Sequence, residues 1–410
     1  MIEMKDSGIE WIGKIPKSWK IKRIQFCLNE INEKNIPVKT EQVLSLVKDK
    51  GVMLYENKGN QGNKAKEDVS QYKIAYPNTL IVNSMNILIG SVGISNYLGC
   101  VSPVYYVFKE TDESDLRYIN YIFNTREFQK ELRKYANGIL EIRLRVSSVN
   151  IFKRKIPLPD KNIQSKIADF LDKKCSEIDD LHLDIEKQIE ILEEYKKSVI
   201  TKQFNGNDFV RLKNIGIFQN GVNFINTTND EMIKFLGVGD FQDNFILDSV
   251  SDFSNVPIDR KFTDNELLKN GDIIFVRSNG SRELVGRSVM VDNIDYPLTY
   301  SGFCIRFRNM RKDILNKYLL YFFRSYKFKE ALYEGSMGTA INNLSQTILG
   351  NIKIPIVDIE EQNKIISKLD YFCKEINIII KNKKKQLEVL EQYKKSLIYE
   401  YVTGKKEVLE

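Results

Sequence analysis

The feature that most constrains this chain is a segment that it contains twice, without a gap, at an offset of 198 residues. The first copy runs over residues 155–206 and the second over residues 353–404. Both open with Ile-Pro, continue through a Leu-Asp pair and a cysteine, and reach a Tyr-Lys-Lys-Ser block near the end. Because the spacing is the same throughout, the repeat predicts a rigid element that the chain forms twice.

Each copy places apolar residues at intervals of seven, the pattern of a coiled-coil helix. A helix of roughly 40 residues would be about 60 Å long and could not bury such a stripe alone. Lys383 interrupts the second series, and we expect its charge at the edge of the helix pair. The predicted seam comprises Leu171, Ile178, Ile185, Leu192, Val199, Leu369, Ile376, Leu390 and Leu397.

Before each helix lies a segment of roughly 150 residues, the size of a domain. A helix that leads into the second domain and another that leaves it would run antiparallel, with the domains at opposite ends of a rod. We therefore predict an α+β fold with two globular domains separated by two long helices in an antiparallel coiled coil, a pseudo-two-fold internal repeat. The boundaries are an N-terminal domain at 1–159, a central helix at 160–206, a C-terminal domain at 207–357 and a distal helix at 358–410.

Both globular segments have short apolar runs separated by Gly, Asn and Pro, which is typical of strands and turns. Asp358 with Glu361 predicts a capping box at the start of the second long helix, whereas Ile163 stands at the Glu361 position of the first, so its cap must differ. Gly206 and Gly404 predict the helix exits. Strands are predicted at 79–82, 104–108, 272–277 and 303–307, and apolar helices at 118–123, 128–135 and 318–323.

Most catalytic chemistry lacks its necessary residues. The single histidine, His182, lies in a predicted helix and leaves no zinc-protease motif or Ser-His-Asp set. Residues 8–14 have most of a phosphate-loop spacing, but Ile15 stands where a Ser or Thr would bind Mg²⁺. A nuclease could use Asp160 and Glu194, yet 34 helical residues separate them by roughly 50 Å.

Composition limits the setting of the protein. The chain has no apolar run of membrane-spanning length and no signal-peptide core, so we expect a cytoplasmic protein. Five scattered cysteines without a C-x-x-C pair predict buried thiols and no metal site. The net charge of +7 permits a polyanionic partner without requiring one.

The remaining chemistry is that of recognition, with Arg, Lys, Asn, Gln and Ser in glycine-containing loops. Arginine has the fork for guanine and asparagine the amide for adenine, whereas lysines favour phosphates. For each residue the alternative is an ordinary solvated loop. The DNA-binding candidates are Lys58, Asn60, Gln61, Asn63, Lys64, Asn83, Asn86, Arg143 and Arg145 in the first domain, and Arg277, Asn279, Ser281, Arg282 and Arg287 in the second.

Several motifs together resemble the specificity subunits of type I restriction-modification systems. They are the opening segment 5–16, the Ile-Pro pairs at 156–157 and 354–355, Gln164 and Gln362, the Glu-x-Tyr-Lys-Lys-Ser blocks at 193–198 and 391–396, and the Val-Thr-Gly at 402–404. The resemblance covers the whole chain in order.

The resemblance implies a non-catalytic subunit with two target recognition domains, each of which reads one half of a split double-stranded DNA site. The helices would set the spacer and dock modification subunits, which bind S-adenosylmethionine. Restriction subunits would add ATP- and Mg-dependent translocation and cleavage, and this chain would bind no cofactor. A longer helix near Glu186 would then lengthen the spacer alone. The alternatives are a stand-alone Mg-dependent nuclease and a coiled-coil scaffold without sequence-specific DNA binding.

Overall fold

The computed structural model shows two compact units. The first is built from two stretches of the chain and the second from one. The first unit comprises Met1–Ile185 and Lys385–Glu410, and the second comprises Glu186–Lys384. The structure describes residues 3–48, 50–59, 68–138, 144–206, 208–223, 231–241, 245–258, 260–278, 284–335 and 343–408. The unit boundary falls within the long helices, so the predicted domain boundaries remain predictions.

The first unit is an α+β assembly around a four-stranded antiparallel sheet in the order β4-β11-β8-β9. Its strands are β1 (Met4–Asp6), β2 (Lys14–Pro16), β3 (Lys20–Arg23), β4 (Leu28–Ile31), β5 (Leu44–Val47), β6 (Gly51–Leu54), β7 (Lys73–Ala75), β8 (Thr79–Asn83), β9 (Val92–Ser95), β10 (Gly99–Val101), β11 (Tyr105–Glu110) and β12 (Lys155–Leu158). Its short helices are α1 (Leu116–Phe123), α2 (Arg126–Arg133) and α3 (Ser148–Phe152). The apolar faces of α1 and α2 bury Ile119, Phe123 and Phe128 in the core beside this sheet.

The first long helix is α4 (Lys161–Lys202), with 42 residues. It continues along the chain into the second unit, whose strands are β13 (Phe209–Arg211), β14 (Gly216–Asn220), β15 (Met232–Leu236), β16 (Ile246–Leu247), β17 (Ser254–Pro257), β18 (Ile273–Val276), β19 (Ser288–Val291), β20 (Leu298–Tyr300), β21 (Cys304–Asn309) and β22 (Lys353–Pro355). Its remaining helices are α5 (Asn316–Phe322), α6 (Tyr326–Gly335), α7 (Gln346–Asn351) and α8 (Ile359–Val402).

The second unit repeats the core of the first and adds to it. Its main sheet has the order β14-β21-β18-β19-β16, in which the first four strands correspond to β4-β11-β8-β9. The edge strand β16 pairs in parallel with β19. A separate sheet, β17-β15-β20, has no counterpart of the same order among the described strands of the first unit. The repeat of secondary structure that the apolar runs and turn residues of the sequence predict is therefore present in the main sheets.

Within each unit the two long helices run antiparallel. In the first unit the Phe170 and Tyr401 ring centroids lie 4.5 Å apart, and Lys394 forms an ion pair with Asp179 at 2.6 Å. Residue numbers therefore increase along α4 in the direction in which they decrease along α8. In the second unit Tyr195 meets Phe372 at 5.6 Å between ring centroids. Lys383 is half-buried and donates to Gln188, which keeps its charge at the edge of the pair as expected.

The predicted seam residues are buried or half-buried. Leu171, Ile178, Ile185, Leu369, Ile376 and Leu397 are buried, whereas Leu192, Val199 and Leu390 are half-buried. The Asp358 part of the predicted capping box is present, because the Asp358 carboxylate accepts from Glu361 N at 2.8 Å. In the first copy the Asp160 carbonyl takes that place and accepts from Ile163 N at 2.8 Å.

The same contacts hold the globular part to the helices in both units. Gln164 accepts from Asp115 N at 2.9 Å and donates to the Glu113 and Pro159 carbonyls. Gln362 accepts from Leu315 N at 2.8 Å and donates to the carbonyls of residues 313 and 357. Both glutamines are fully buried, so these bonds replace water for the main-chain groups.

A tyrosine pair repeats this correspondence. The Tyr121 hydroxyl donates to Asp172 Oδ1 at 2.7 Å, and the Tyr321 hydroxyl donates to Asp370 Oδ1 at 2.7 Å. Burial, followed by the hydrogen bond to the carboxylate, raises the pKa of both tyrosines well above the ordinary value. The phenols are therefore neutral donors that fix α1 to α4 and α5 to α8.

Candidate nucleic-acid interface

The structure places candidate residues of both units at one matching location, the ends of the corresponding strands β8 and β18. The match is defined by main-chain bonds. Val146 N donates to Ser84 O at 3.1 Å in the first unit, and Leu344 N donates to Arg277 O at 2.8 Å in the second. Ser84 and Arg277 thus occupy equivalent positions, each one residue beyond its strand.

The turn before the neighbouring strand matches as well. Tyr105 lies opposite Asn83, and Cys304 lies opposite Val276. Tyr105 N donates to Ser102 O at 2.9 Å, and Cys304 N donates to Ser301 O at 2.8 Å. Each unit therefore has a strand-end cluster of three equivalent positions. It comprises Ser84, Val104 and Arg145 in the first unit, and Arg277, Phe303 and Asn343 in the second.

In the first cluster the polar group comes from the segment before α3. Arg145 is exposed, and its Nη2 lies 3.5 Å from Met85 Sδ. Ser84 is only 3% exposed, so its side chain offers no reading surface. The guanidinium of Arg145 is therefore the charged group that this cluster presents.

In the second cluster the arginine is the residue directly after β18. Arg277 Nε donates to Asn343 Oδ1 at 3.2 Å, and its Nη1 lies 3.5 Å from Gly302 O. Arg277 N donates to Phe303 O at 2.8 Å. These contacts hold a guanidinium beside an amide, the groups that read guanine and adenine edges. Phe303, whose side chain is exposed, adjoins them through its main chain.

Other candidates lie near these clusters or apart from them. Arg287 is half-buried, and its carbonyl accepts from Val276 N at 2.9 Å, beside the end of β18. Asn86 is exposed at the start of a 3₁₀ turn, Ile87–Ile89. Lys58 ends another 3₁₀ turn, with its ammonium 4.1 Å from the Tyr55 ring centroid.

Asn83 has a structural role in the turn. It is 5% exposed, and its Oδ1 accepts from Met85 N at 3.1 Å, so the side chain shapes the chain beyond β8. The remaining candidates lie outside the described residues: Asn60, Gln61, Asn63, Lys64, Arg143, Asn279, Ser281 and Arg282.

Two residues of the second cluster, Phe303 and Asn343, are not among the DNA-binding candidates that the sequence predicts. Phe303 was predicted to begin a strand, but β21 begins at Cys304, and Phe303 lies in the preceding turn with 60% of its surface exposed. Asn343 is exposed and lies 198 residues after Arg145, so extending the repeat upstream of residue 155 would have identified it.

The described residues provide no support for a catalytic site. Within these ranges, no three His, Cys, Asp or Glu side chains are grouped so that they could hold a metal ion. Glu194, considered for a nuclease, accepts hydrogen bonds from Lys197 and from the Tyr326 hydroxyl. Burial raises the pKa of the Cys304 thiol, beside the second cluster, to about 12. None of the helices in the described part combines the length and apolarity that membrane crossing requires.

The chain is similar to proteins of one kind throughout its length. Residues 16–191 and 205–389 each match the family described as type I restriction modification DNA specificity domain. The MjaVIII specificity subunit of Methanocaldococcus jannaschii is 28% identical over 274 residues, which cover 61% of this chain and 62% of that protein. The putative MjaX specificity subunit of the same organism is 24% identical, with 96% of this chain and 95% of that protein covered. The StySPI specificity subunit of Salmonella potsdam is 25% identical, with 52% and 50% covered. The matches to MjaVIII and StySPI thus span less than two thirds of those proteins.

Solved structures share the fold. One chain, from work on complex assembly and conformational transition of the type I R-M system, has a TM-score of 0.71 at 13% identity, with 95% of this chain and 98% of that chain covered. The HsdS subunit from Thermoanaerobacter tengcongensis has a TM-score of 0.51 at 14% identity, with 96% and 98% covered. These likenesses, with the two family matches, confirm the predicted α+β fold class with its internal repeat.

Proposed function

Because the chain belongs to the family of type I restriction modification DNA specificity domains, we propose that it is the DNA-reading subunit of a type I restriction-modification complex. Each unit reads one half of a split site in double-stranded DNA. The observation that carries the proposal is the pair of strand-end clusters, which occupy equivalent positions on a repeated frame and differ in side-chain chemistry. A site read by two such clusters would have two unlike halves.

The chemistry of each cluster suits base edges in the major groove. An arginine fork can bind guanine O6 and N7, and an asparagine amide can bind adenine N6 and N7. In the second unit Asn343 holds the Arg277 side chain, which limits the rotamer entropy lost on binding. Lysines such as Lys58 suit phosphate contacts, which position a protein without reading sequence.

The long helices give the proposal its second part. Their continuous length connects the two reading units and sets the number of unread base pairs between the half-sites. Exposed apolar side chains on the helices, among them Ile191, Tyr371 and Val389, suit docking of modification subunits. Restriction subunits would then join that complex. The chain itself is non-catalytic in this proposal, and S-adenosylmethionine, ATP and Mg²⁺ bind the partner subunits.

The test uses the full chain co-expressed with the modification subunits of its host. Sequencing of methylated adenines in the host genome is expected to yield a split motif. Insertion of four residues after Glu186, with four more after Lys384 to keep the antiparallel helices matched, should lengthen the gap and leave both half-sites unchanged. A contiguous motif, or changed half-sites, would contradict the proposal.

A second measurement separates the alternatives. The purified complex should retard a duplex with the methylated motif and not a scrambled duplex, at 200 mM as well as 50 mM salt, because charge attraction alone weakens steeply with salt. Equal binding to both duplexes would favour a scaffold with incidental basic loops. Cleavage by the purified chain with Mg²⁺ alone would favour a nuclease.

A further inference from the structure

The turn that carries Phe303 is tightly fixed on its inner side and presents the aromatic ring outward. Gly302 N donates to Val222 O at 2.8 Å, and Phe303 N donates to Ser301 Oγ at 3.2 Å. A Cβ atom on Gly302 would lie 2.0 Å from Asn223 Oδ1, so no larger residue fits there without rearrangement. The backbone therefore holds Phe303 in one place.

Phe303 is joined to the second strand-end cluster through its main chain. Phe303 O accepts from Arg277 N at 2.8 Å and is 3.4 Å from Ser278 N. The Arg277 guanidinium approaches the preceding residue, with Nη1 3.5 Å from Gly302 O. Phe303 and Arg277 are therefore directly bonded neighbours, which places both residues at the same strand end.

An isolated exposed apolar residue is ordinary on a protein surface, but a phenylalanine beside a base-reading arginine has a specific chemical match. The C5-methyl of thymine is the apolar feature among the base edges of the major groove. Contact with it would remove both apolar groups from water. A leucine side chain is also apolar and long, whereas alanine ends at Cβ and has a shorter reach.

We infer that Phe303 contacts the C5-methyl group of one thymine in the half-site read by the second unit, next to the base pair that Arg277 contacts. This inference rests on the proposed function. It makes Phe303 a specificity-determining residue that discriminates thymine from cytosine and from uracil without a hydrogen bond.

The test replaces thymines by deoxyuridine, which removes the methyl group and leaves base pairing intact. Once the methylated motif is known, duplexes are made with each thymine of both half-sites replaced singly, and binding of the full complex is measured by titration. One replacement in the half-site of the second unit should weaken binding about fourfold, the factor expected for one buried methyl group.

Variants connect that methyl group to this ring. Phe303→Ala should weaken binding to the thymine duplex and reduce the effect of the same deoxyuridine to less than about 1.5-fold, because contacting groups are non-additive. Phe303→Leu should retain the deoxyuridine effect. Phe209→Ala removes another exposed phenylalanine of the second unit, 51% exposed on β13, and should leave the thymine preference unchanged.

The outcomes separate this inference from its premise. Sequence-specific binding with no deoxyuridine effect, or with an effect that persists in Phe303→Ala, overturns the inference and leaves the proposed function intact. A complex that does not distinguish the motif from a scrambled duplex overturns both.

Discussion

The two units attach to the long helices through nearly the same contacts and differ at the ends of their central strands. Gln164 and Gln362 make the same set of three hydrogen bonds, and the Tyr121 and Tyr321 hydroxyls donate to equivalent carboxylates at the same 2.7 Å. The strand-end clusters have the same backbone but unlike side chains. The arginine comes from residue 145 in one unit and from residue 277 in the other.

This difference separates two physical roles. A buried amide that bonds three main-chain groups tolerates no change of residue type, because each lost bond leaves a desolvated group without a partner. An exposed side chain at a strand end bears no such constraint, so it can vary while the backbone stays the same. The junctions therefore act as a common frame, and the strand ends carry what distinguishes the two halves of the molecule.

The largest expected effect is the loss of a junction glutamine. Gln362→Leu should lower the free energy of unfolding of the second unit by about 3 kcal/mol or more, since it leaves buried main-chain groups unsatisfied. Gln164→Leu should cost the first unit a similar amount, because its contacts are the same. Hydrogen exchange resolved by unit, under increasing urea, would measure both losses.

The exposed Gln392→Leu serves as the control and should change the unfolding free energy by less than about 0.5 kcal/mol. Unequal losses for the two junction variants would break the comparison, since they would show that the frames differ.

The next effect concerns base reading by the second cluster. Arg277→Ala should weaken binding to the cognate duplex by about 1–3 kcal/mol and relax the preference at one base pair. Arg277→Lys keeps the charge but loses the fork, so it should lose nearly as much. Titration of the complex with single-base variant duplexes measures this. Full binding by Arg277→Lys, with a smaller salt dependence in Arg277→Ala, would indicate a phosphate contact instead.

A smaller effect is expected at the tyrosine pair. Tyr321→Phe removes one hydrogen bond to Asp370, which Lys317 still pairs at 2.7 Å. Because that carboxylate is partly exposed, we expect a loss of about 1 kcal/mol in unfolding free energy. Tyr121→Phe should match it within about 0.5 kcal/mol. A loss in one unit only would show that the two equivalent hydrogen bonds contribute differently to the unfolding free energy.

The last effect, no larger than that of the tyrosines, is a pH dependence that belongs to the second unit. Hydrogen bonds from Arg260 lower the pKa of Glu266 from its ordinary 4.5 to about 2. A lowered pKa stabilises the fold above pH 4.5, and this contribution is lost as the pH falls toward 2. Glu266→Gln should therefore cost about 1 kcal/mol at pH 6, because the pair is partly exposed, and progressively less below pH 4.5.

Urea unfolding of the second unit between pH 6 and pH 3 would follow this difference, with Asp264→Asn as a control, since its side chain is 92% exposed. A difference between Glu266→Gln and the unaltered chain that stayed constant over this range would contradict the assignment.

The long helices could be predicted from the sequence because their signal is local and periodic. The heptad positions, the Asp358 cap and the repeat each depend on residues close together in the chain, and the structure gives helices of 42 and 44 residues there. The strands at 79–82 and 272–277 were recognisable for the same reason, since buried strands are short apolar runs.

The strand-end clusters could not be predicted as clusters. They depend on main-chain bonds between distant segments, such as Val146 to Ser84 and Leu344 to Arg277, which leave no periodic signal. An apolar residue in a turn cannot be told from a strand residue by its type alone. Phe303 directly precedes Cys304 and Ile305, so the sequence predicts it to be part of their strand. Residue type alone could not show that Asn83 is buried while Arg145 is exposed.

The central claim is that the two strand-end clusters read different halves of one DNA site. It is tested most directly by the methylated motifs of cells that express Arg145→Ala or Arg277→Ala with the modification subunits. We predict that each variant relaxes one base pair, that the two relaxed positions lie in opposite half-sites, and that the spacer is unchanged. Relaxation in the same half-site by both variants, or an unaltered motif in both, would contradict the account.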